Sequence, residues 1–310
     1  MPGIKIIIVG AGLAGSLLAN GLQREGIEVK VYDRLDHHAK HEGYQIRLGA
    51  NALVGFRACL DAETIRNLVA QFGRAAGKRS AAPVLRDKHF RALLDLTLFP
   101  TYAKSAPINR GLLRDALADP LYDAGIVQYS AKYDRYDLVS RDGQEKVRVW
   151  FEDGTYNECD ILVGADGAHS KVHLTVKVTS ASRLIISQIN KQIGLDNISK
   201  VDSHISFIAK SDLPTARFLS MAPDLHEKPL MTFAENKVLY FAAYLPDKAE
   251  PAGNNKTTVS EVEVAFDDSM SSCMFGVWIP IEDCPDGIMK ADTETKWHYL
   301  SEQLRKWSPR

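Results

Sequence analysis

The chain has 310 residues, 45% of them hydrophobic and 25% charged, with a formal net charge of −1. These values match folded globular proteins, allow one large or two ordinary domains, and exclude a disordered or fibrous class. The balanced charge offers no clustered Lys and Arg to neutralise the phosphates of a nucleic acid, and no apolar run nears the roughly 18 residues that a membrane span needs.

Cys59, Cys159, Cys273 and Cys284 lie far apart and form no C-x-x-C pair. That spacing argues against a disulfide framework or a zinc knuckle and for a reducing, cytoplasmic setting. The N-terminal "IIIVGAGLAG" is too short and too glycine-punctuated for a signal peptide.

In chain order, the β-branched run at 4–9 suits a parallel strand covered on both faces. Leu13, Leu17, Leu18, Gly21 and Leu22 recur at helical spacing, Gly26 stops that helix, and Val29, Val31 and Tyr32 resume a strand. Residues 3–33 therefore predict a βαβ unit with a short glycine-rich loop. Helical patterns follow at 51–72 and 109–124, the second limited by Pro120. Between them, 78–99 reads as two extended segments around "RDKHF", a ribbon inserted into the first domain at about 78–104. Runs at 147–151 and 156–163 flank "EDGT", an Asp-Gly hairpin signal.

After Lys171 the pattern changes to extended segments, "HISFIAK", "LYFAAYLP" and "MFGVWIPI", with an exposed loop expected at 246–258 and a last helix in "TETKWHYLSEQLRKW". The predicted fold class is α/β: a Rossmann-like domain over 1–180, a mostly antiparallel β-sheet domain over 181–295, and the start of a returning helix at 296–310.

Gly10, Gly12 and Gly15 form G-x-G-x-x-G between strand and helix. The first permits the tight turn, the second lets a pyrophosphate approach the backbone, and the third lets helix and strand pack closely. Asp33 ends the second strand where an acid accepts hydrogen bonds from an adenosine ribose. Ala14, in the same loop, and Arg34, beside the acid, complete this candidate dinucleotide site. The fingerprint leaves NAD(P) and FAD both open.

Downstream, Arg110, Leu113 and Leu117 make R-x-x-L-x-x-x-L on a helix, and "VGADGAHS" follows the hairpin. In this order with the glycines and Asp33, the motifs resemble the class A FAD-dependent monooxygenases, the aromatic-hydroxylase or salicylate-hydroxylase-like family, and especially its fungal secondary-metabolism branch. The resemblance implies that 1–180 is a Rossmann-like FAD-binding domain and that the antiparallel β-sheet domain binds substrate. It places Arg110 on the FAD, Asp166 and Gly167 at a site serving both FAD and NADPH (or NADH), and Arg47 in a loop beside the flavin. It further implies O2 and a small organic substrate, aromatic or polyketide-derived, that receives one oxygen atom. No side chain is singled out as catalytic, because the cofactor carries the chemistry.

Two departures stand out. The family commonly continues D-G-x-x-S-x-V-R, where this chain has Val172 and then His173, and an imidazole lacks the guanidinium's fork of donors. The family's third motif begins G-D, a dipeptide absent here, which makes the expected fold C-terminally incomplete. Two alternatives therefore stay beside the monooxygenase reading: a truncated remnant that is non-catalytic or weakly FAD-binding, and a nicotinamide-dependent dehydrogenase.

His37, His38 and His41 read as solvated side chains rather than metal ligands. Tyr244 and Lys248 match Y-x-x-x-K, but Pro246 between them breaks the helix that such a pair needs. Ser170 lacks a nucleophile-elbow context. Tyr240, Phe241, Tyr244 and "MFGVWIPI" fit either a substrate pocket or sheet core.

Overall fold

The computed structural model describes residues 3–37, 39, 45–72, 82–99, 106–141, 143–167, 202–221, 228–244 and 271–307. Chain order begins with strand β1 (Lys5–Val9), helix α1 (Leu13–Arg24), β2 (Glu28–Tyr32), β3 (Gln45–Leu48), α2 (Ala50–Cys59) and α3 (Ala62–Ala70). It continues with β4 (Val84–Arg86), β5 (Ala92–Asp95), β6 (Ala106–Asn109), α4 (Arg110–Asp123), β7 (Val127–Gln128), β8 (Tyr133–Arg141), β9 (Gln144–Phe151), β10 (Tyr156–Cys159) and β11 (Ile161–Gly164). The remainder is β12 (His204–Asp212), α5 (Thr215–Leu219), β13 (Leu230–Ala234), β14 (Lys237–Tyr244), β15 (Ser272–Pro280) and α6 (Thr293–Leu304). Two compact units emerge, one of Met1–Gly43, Leu53–Leu68 and Gly111–Lys200, the other of Tyr44–Ala52, Val69–Arg110 and Val201–Arg310.

The first unit contains a parallel sheet of order β11-β1-β2-β7. Its strands are β-branched because both faces are covered: Ile6, Ile8 and Val31 pack with Ala19 and Leu121, while Ile7 and Val9 pack with Tyr133, Val149 and Phe151. Gly26, at φ +73°, ends α1 in the left-handed conformation expected of a glycine cap. The Asn20 amide donates to the Leu117 carbonyl at 2.8 Å and fastens α1 to α4.

Three local expectations change. The helical pattern at 51–72 is two helices, since Asp61 accepts from the backbone N–H groups of Glu63 and Thr64 and starts α3 anew. Helix α4 runs through Pro120 to Asp123, because the proline carbonyl still accepts from Ala124 at 3.1 Å and its fixed φ suits a last turn. The run at 156–163 is two strands in two sheets, β10 antiparallel to β9 and β11 parallel to β1. Asp160 makes the switch: its carboxylate accepts from the Lys5 N–H, its own N–H donates to the Lys5 carbonyl, both at 2.9 Å, and Lys146 pairs with it.

In the second unit a six-stranded sheet has the order β12-β15-β14-β13-β4-β5. Its buried face carries Phe207, Leu230, Leu239, Val277 and Ile279 against Leu300 of α6 and Trp307. Asp292 caps α6 by accepting from the Thr295 N–H at 2.7 Å. The ribbon expected as an insertion in the first domain belongs here: β4 lies parallel to β13, with Val84 opposite Leu230, and extends this sheet. A three-residue strand buries Val84 and Arg86 by joining a sheet edge, which a free two-stranded ribbon could not do. Strands β3 and β6 form a separate antiparallel pair. The expected boundary at 180/181 and the loop at 246–258 lie outside the described residues.

Candidate functional site

The glycine loop is built at the C-terminal ends of β1 and β2, and the D-G turn at the end of β11, the parallel neighbour of β1. Gly10 has φ +109°, and a Cβ there would stand 2.4 Å from the Ala165 carbonyl oxygen and 2.8 Å from the Asp166 nitrogen. The first glycine therefore does more than permit a turn: its bare face receives the Ala165–Asp166 peptide. A Cβ on Gly15 would stand 2.0 Å from the Gly10 carbonyl oxygen and 3.2 Å from the Ala165 Cβ. Two motifs separated by some 150 residues of chain thus share one van der Waals surface.

Gly12 differs from both. It is the N-cap of α1 with φ −74°, and a Cβ there would meet nothing within 4 Å among the described residues. The first N–H groups of α1, at Leu13, Ala14 and Gly15, cannot bond within the helix and face the N-terminal end, where the helix dipole favours an anion. An unobstructed glycine at the mouth of such an end fits close approach by a phosphate. Ser16, fully buried, donates its hydroxyl to the Ala11 carbonyl at 3.1 Å and holds the loop from below.

Asp33 follows β2 directly. Its Oδ2 accepts from the Ala11 N–H at 2.8 Å and its Oδ1 from the Leu35 N–H at 2.9 Å. Each carboxylate oxygen keeps a second lone pair, so the acid can both clamp the glycine loop and accept a hydroxyl. The sequence pattern suggested only the second role. Arg34 lies beside it in the same bend.

Asp166 and Gly167 form the D-G turn, with Gly167 at φ +77° and one carboxylate oxygen of Asp166 buried. Near it, burial and the neighbouring Tyr136 and Asp166 push the Tyr133 phenol above its ordinary range. Sequence reading missed Ala165, Ser16 and Tyr133. The small residue at 165, between the strand and Asp166, was the available signal for the first.

Gly10, Gly12, Ala14, Gly15, Asp33, Arg34, Asp166 and Gly167 all fall in the first unit. Arg47 and Arg110 fall in the second: Arg47 is on β3 opposite Pro107 of β6, and Arg110 opens α4 immediately after β6. Leu113 and Leu117, its motif partners, are buried on α4. Burial lowers the Arg47 pKa, an effect opposed by the nearby Tyr240.

His37 stacks on Tyr122 at 4.1 Å and meets Asp119 at 3.3 Å. His38, His41, Ser170, Val172, His173 and Lys248 lie outside the described residues. Among the described residues no group of His, Cys, Asp and Glu is arranged to hold a metal ion, and no helix is long and apolar enough to cross a membrane.

A profile of the FAD binding domain matches residues 3–223. An FAD-dependent monooxygenase of Emericella nidulans is 32% identical over 176 residues, covering 55% of this chain and 42% of that protein. A 3-amino-4-hydroxybenzoate 2-monooxygenase of Streptomyces platensis is 29% identical over 178 residues, covering 56% and 41%. The matched segment thus spans less than half of either relative. Among solved structures, HpxO of Klebsiella pneumoniae, in complex with FAD and uric acid, superposes with a TM-score of 0.66 at 18% identity, over 99% of this chain and 63% of that one. This supports the Rossmann-like fold class. The chain belongs to the FAD-binding-domain family of the class A flavin monooxygenases.

Proposed function

We propose that this chain holds FAD and a small organic substrate in a monooxygenase that uses NADPH or NADH and O2 to insert one oxygen atom, in secondary metabolism and in a cytoplasmic setting. The observation that carries the reading is the seat of Gly10 on the Ala165–Asp166 peptide, which joins the glycine loop and the D-G turn into one surface beside Asp33. A nicotinamide dehydrogenase would need the glycine loop and Asp33 but not this second turn. Four free cysteines suit the reducing compartment.

The residues fit the cofactor. The open face of Gly12 and the first N–H groups of α1 would take the pyrophosphate, and Asp33 would accept from the ribose while keeping the Ala11 N–H. Asp166 and Gly167 would border the same cofactor and the nicotinamide donor, and Arg110 and Arg47 are assigned to the FAD by their motif positions. Bound FAD supplies electron transfer and oxygen activation. The protein's part is to bind and orient the reactants and to keep water from them.

An aromatic substrate class is supported by relatives, one a 3-amino-4-hydroxybenzoate 2-monooxygenase and one crystallised with uric acid. Titration of the purified chain with FAD, followed by flavin fluorescence, tests the reading. Saturable quenching and a yellow protein, then NADPH oxidation stimulated by aromatic acids, are the expected results. A colourless chain that takes up no FAD would overturn it in favour of a non-binding remnant.

A further inference from the structure

The six-stranded sheet of the second unit ends on β5 at one side and β12 at the other, and the two edges are built differently. β5 has four residues, and its register with β4 skips Leu93, a bulge of the kind that blunts an exposed edge. β12 has nine residues, His204–Asp212, in unbroken antiparallel register with Ser272–Pro280 of β15 and without a proline. Among the described residues β15 is its one strand neighbour. The N–H and C=O groups that β12 turns away from β15 therefore form a row about 30 Å long that no described strand pairs.

The middle of this edge is apolar and its ends are polar. Ile208, the central residue, is 58% exposed and stands opposite Gly276 of β15. Turning a second copy about a two-fold axis through Ile208, normal to the sheet, sets Ile208 on Ile208, Phe207 opposite Ala209, Lys210 opposite Ser206 and Asp212 opposite His204. In that register every residue of the strand is paired, the large Phe207 meets a small residue, and no like charges meet. Moving the axis to Phe207 would set Asp212 against Asp202 and Lys210 against His204, and moving it to Ala209 would set Lys210 on Ile208. The strand is self-complementary in one register, as a closed two-fold contact requires.

We infer that β12 is an interaction surface for a second copy of this chain: two copies join edge to edge, antiparallel about Ile208, and their sheets become one. Ladder hydrogen bonds make most of the contact, and the Ile208 pair is its apolar centre. Two nine-residue strands form a small interface of the transient class, with a dissociation constant on the order of 10 µM. Every residue involved belongs to the second unit, so the contact does not depend on the cofactor.

Sedimentation velocity of the full chain from about 1 to 200 µM should show a monomer passing into a dimer. Ile208→Lys sets two ammonium groups opposite each other at the axis and should weaken association at least about tenfold. Leu93→Lys makes the same change of charge on β5, at a residue 62% exposed, and should leave association within about twofold. Cross-linking reads the register. Ile208→Cys brings two Cα atoms to about 4.5–5.5 Å, within disulfide reach, so diamide should give a covalent dimer that the parent chain does not. Lys210→Cys, whose copy lies about 14 Å along the pair, should give none. A chain that stays monomeric throughout, association undiminished in Ile208→Lys, association lost in Leu93→Lys, or Lys210→Cys cross-linked as fully as Ile208→Cys would overturn the inference.

Discussion

Replacing Gly15 and Gly12 by alanine, one at a time, separates a glycine needed for packing from one needed for the cofactor. At Gly15 the new methyl carbon would start 2.0 Å from the Gly10 carbonyl oxygen, more than about 1 Å inside ordinary contact, and 3.2 Å from the Ala165 Cβ. Alanine in a helix gains up to about 1 kcal/mol over glycine. Overpacking costs about 1–3 kcal/mol and more where backbone must move. Here the obstacle is the Gly10 backbone on one side and the Ala165 Cβ, fixed to its own backbone, on the other, so no rotamer relieves it and the clash wins, for a net loss of about 2 kcal/mol.

At Gly12 the same methyl meets nothing within 4 Å among the described residues, and φ −74° is ordinary for alanine. Losing a glycine N-cap costs about 1 kcal/mol at most. The methyl would nevertheless stand where the pyrophosphate is to approach, and FAD affinity should fall at least about tenfold. Urea denaturation and FAD titration of both variants decide the matter. Gly15→Ala as stable as the parent would refute the packing argument, and Gly12→Ala with unchanged FAD affinity would refute the pyrophosphate site.

Other consequences are equally direct. The Thr232 hydroxyl is wholly buried and has no hydrogen-bond partner among the described residues, so Thr232→Val should stabilise the protein by about 1 kcal/mol, read as a higher urea midpoint. Hydrogen bonds from Lys146 and Arg148 hold Asp160 and Glu158 below the usual carboxylate range. A lowered folded pKa stabilises above about pH 4 and the benefit is lost as pH falls through the folded value, so Lys146→Met should flatten the acid limb of stability against pH. Burial pushes the Cys159 thiol up to about 11. Iodoacetamide at pH 8 should leave Cys159 unmodified in the folded chain and alkylate it in urea, as peptide mass mapping would show.

Much of the first unit was legible locally. The β-branched run, the glycine spacing and Gly26 specify a βαβ unit from contacts within about thirty residues, and each acts through backbone conformation or a short periodicity. The motif order that selects FAD could also be read along the chain. The site as a surface could not. That Gly10 receives the Ala165–Asp166 peptide depends on β11 pairing with β1, and that Asp33 holds the Ala11 N–H depends on β2 lying on the other side.

The sequence by itself determined the first βαβ unit, the glycine loop and the candidate cofactor residues. The tertiary structure alone decided that 84–95 joins the second sheet, that 156–163 divides at Asp160, and that Trp278 and Tyr240 share the sheet face opposite Phe241 and Phe275. Alternation along a strand sorts side chains into two sets, but which set is core depends on where α6 packs. Such pairings and packings join residues far apart in the chain, and no local periodicity encodes them.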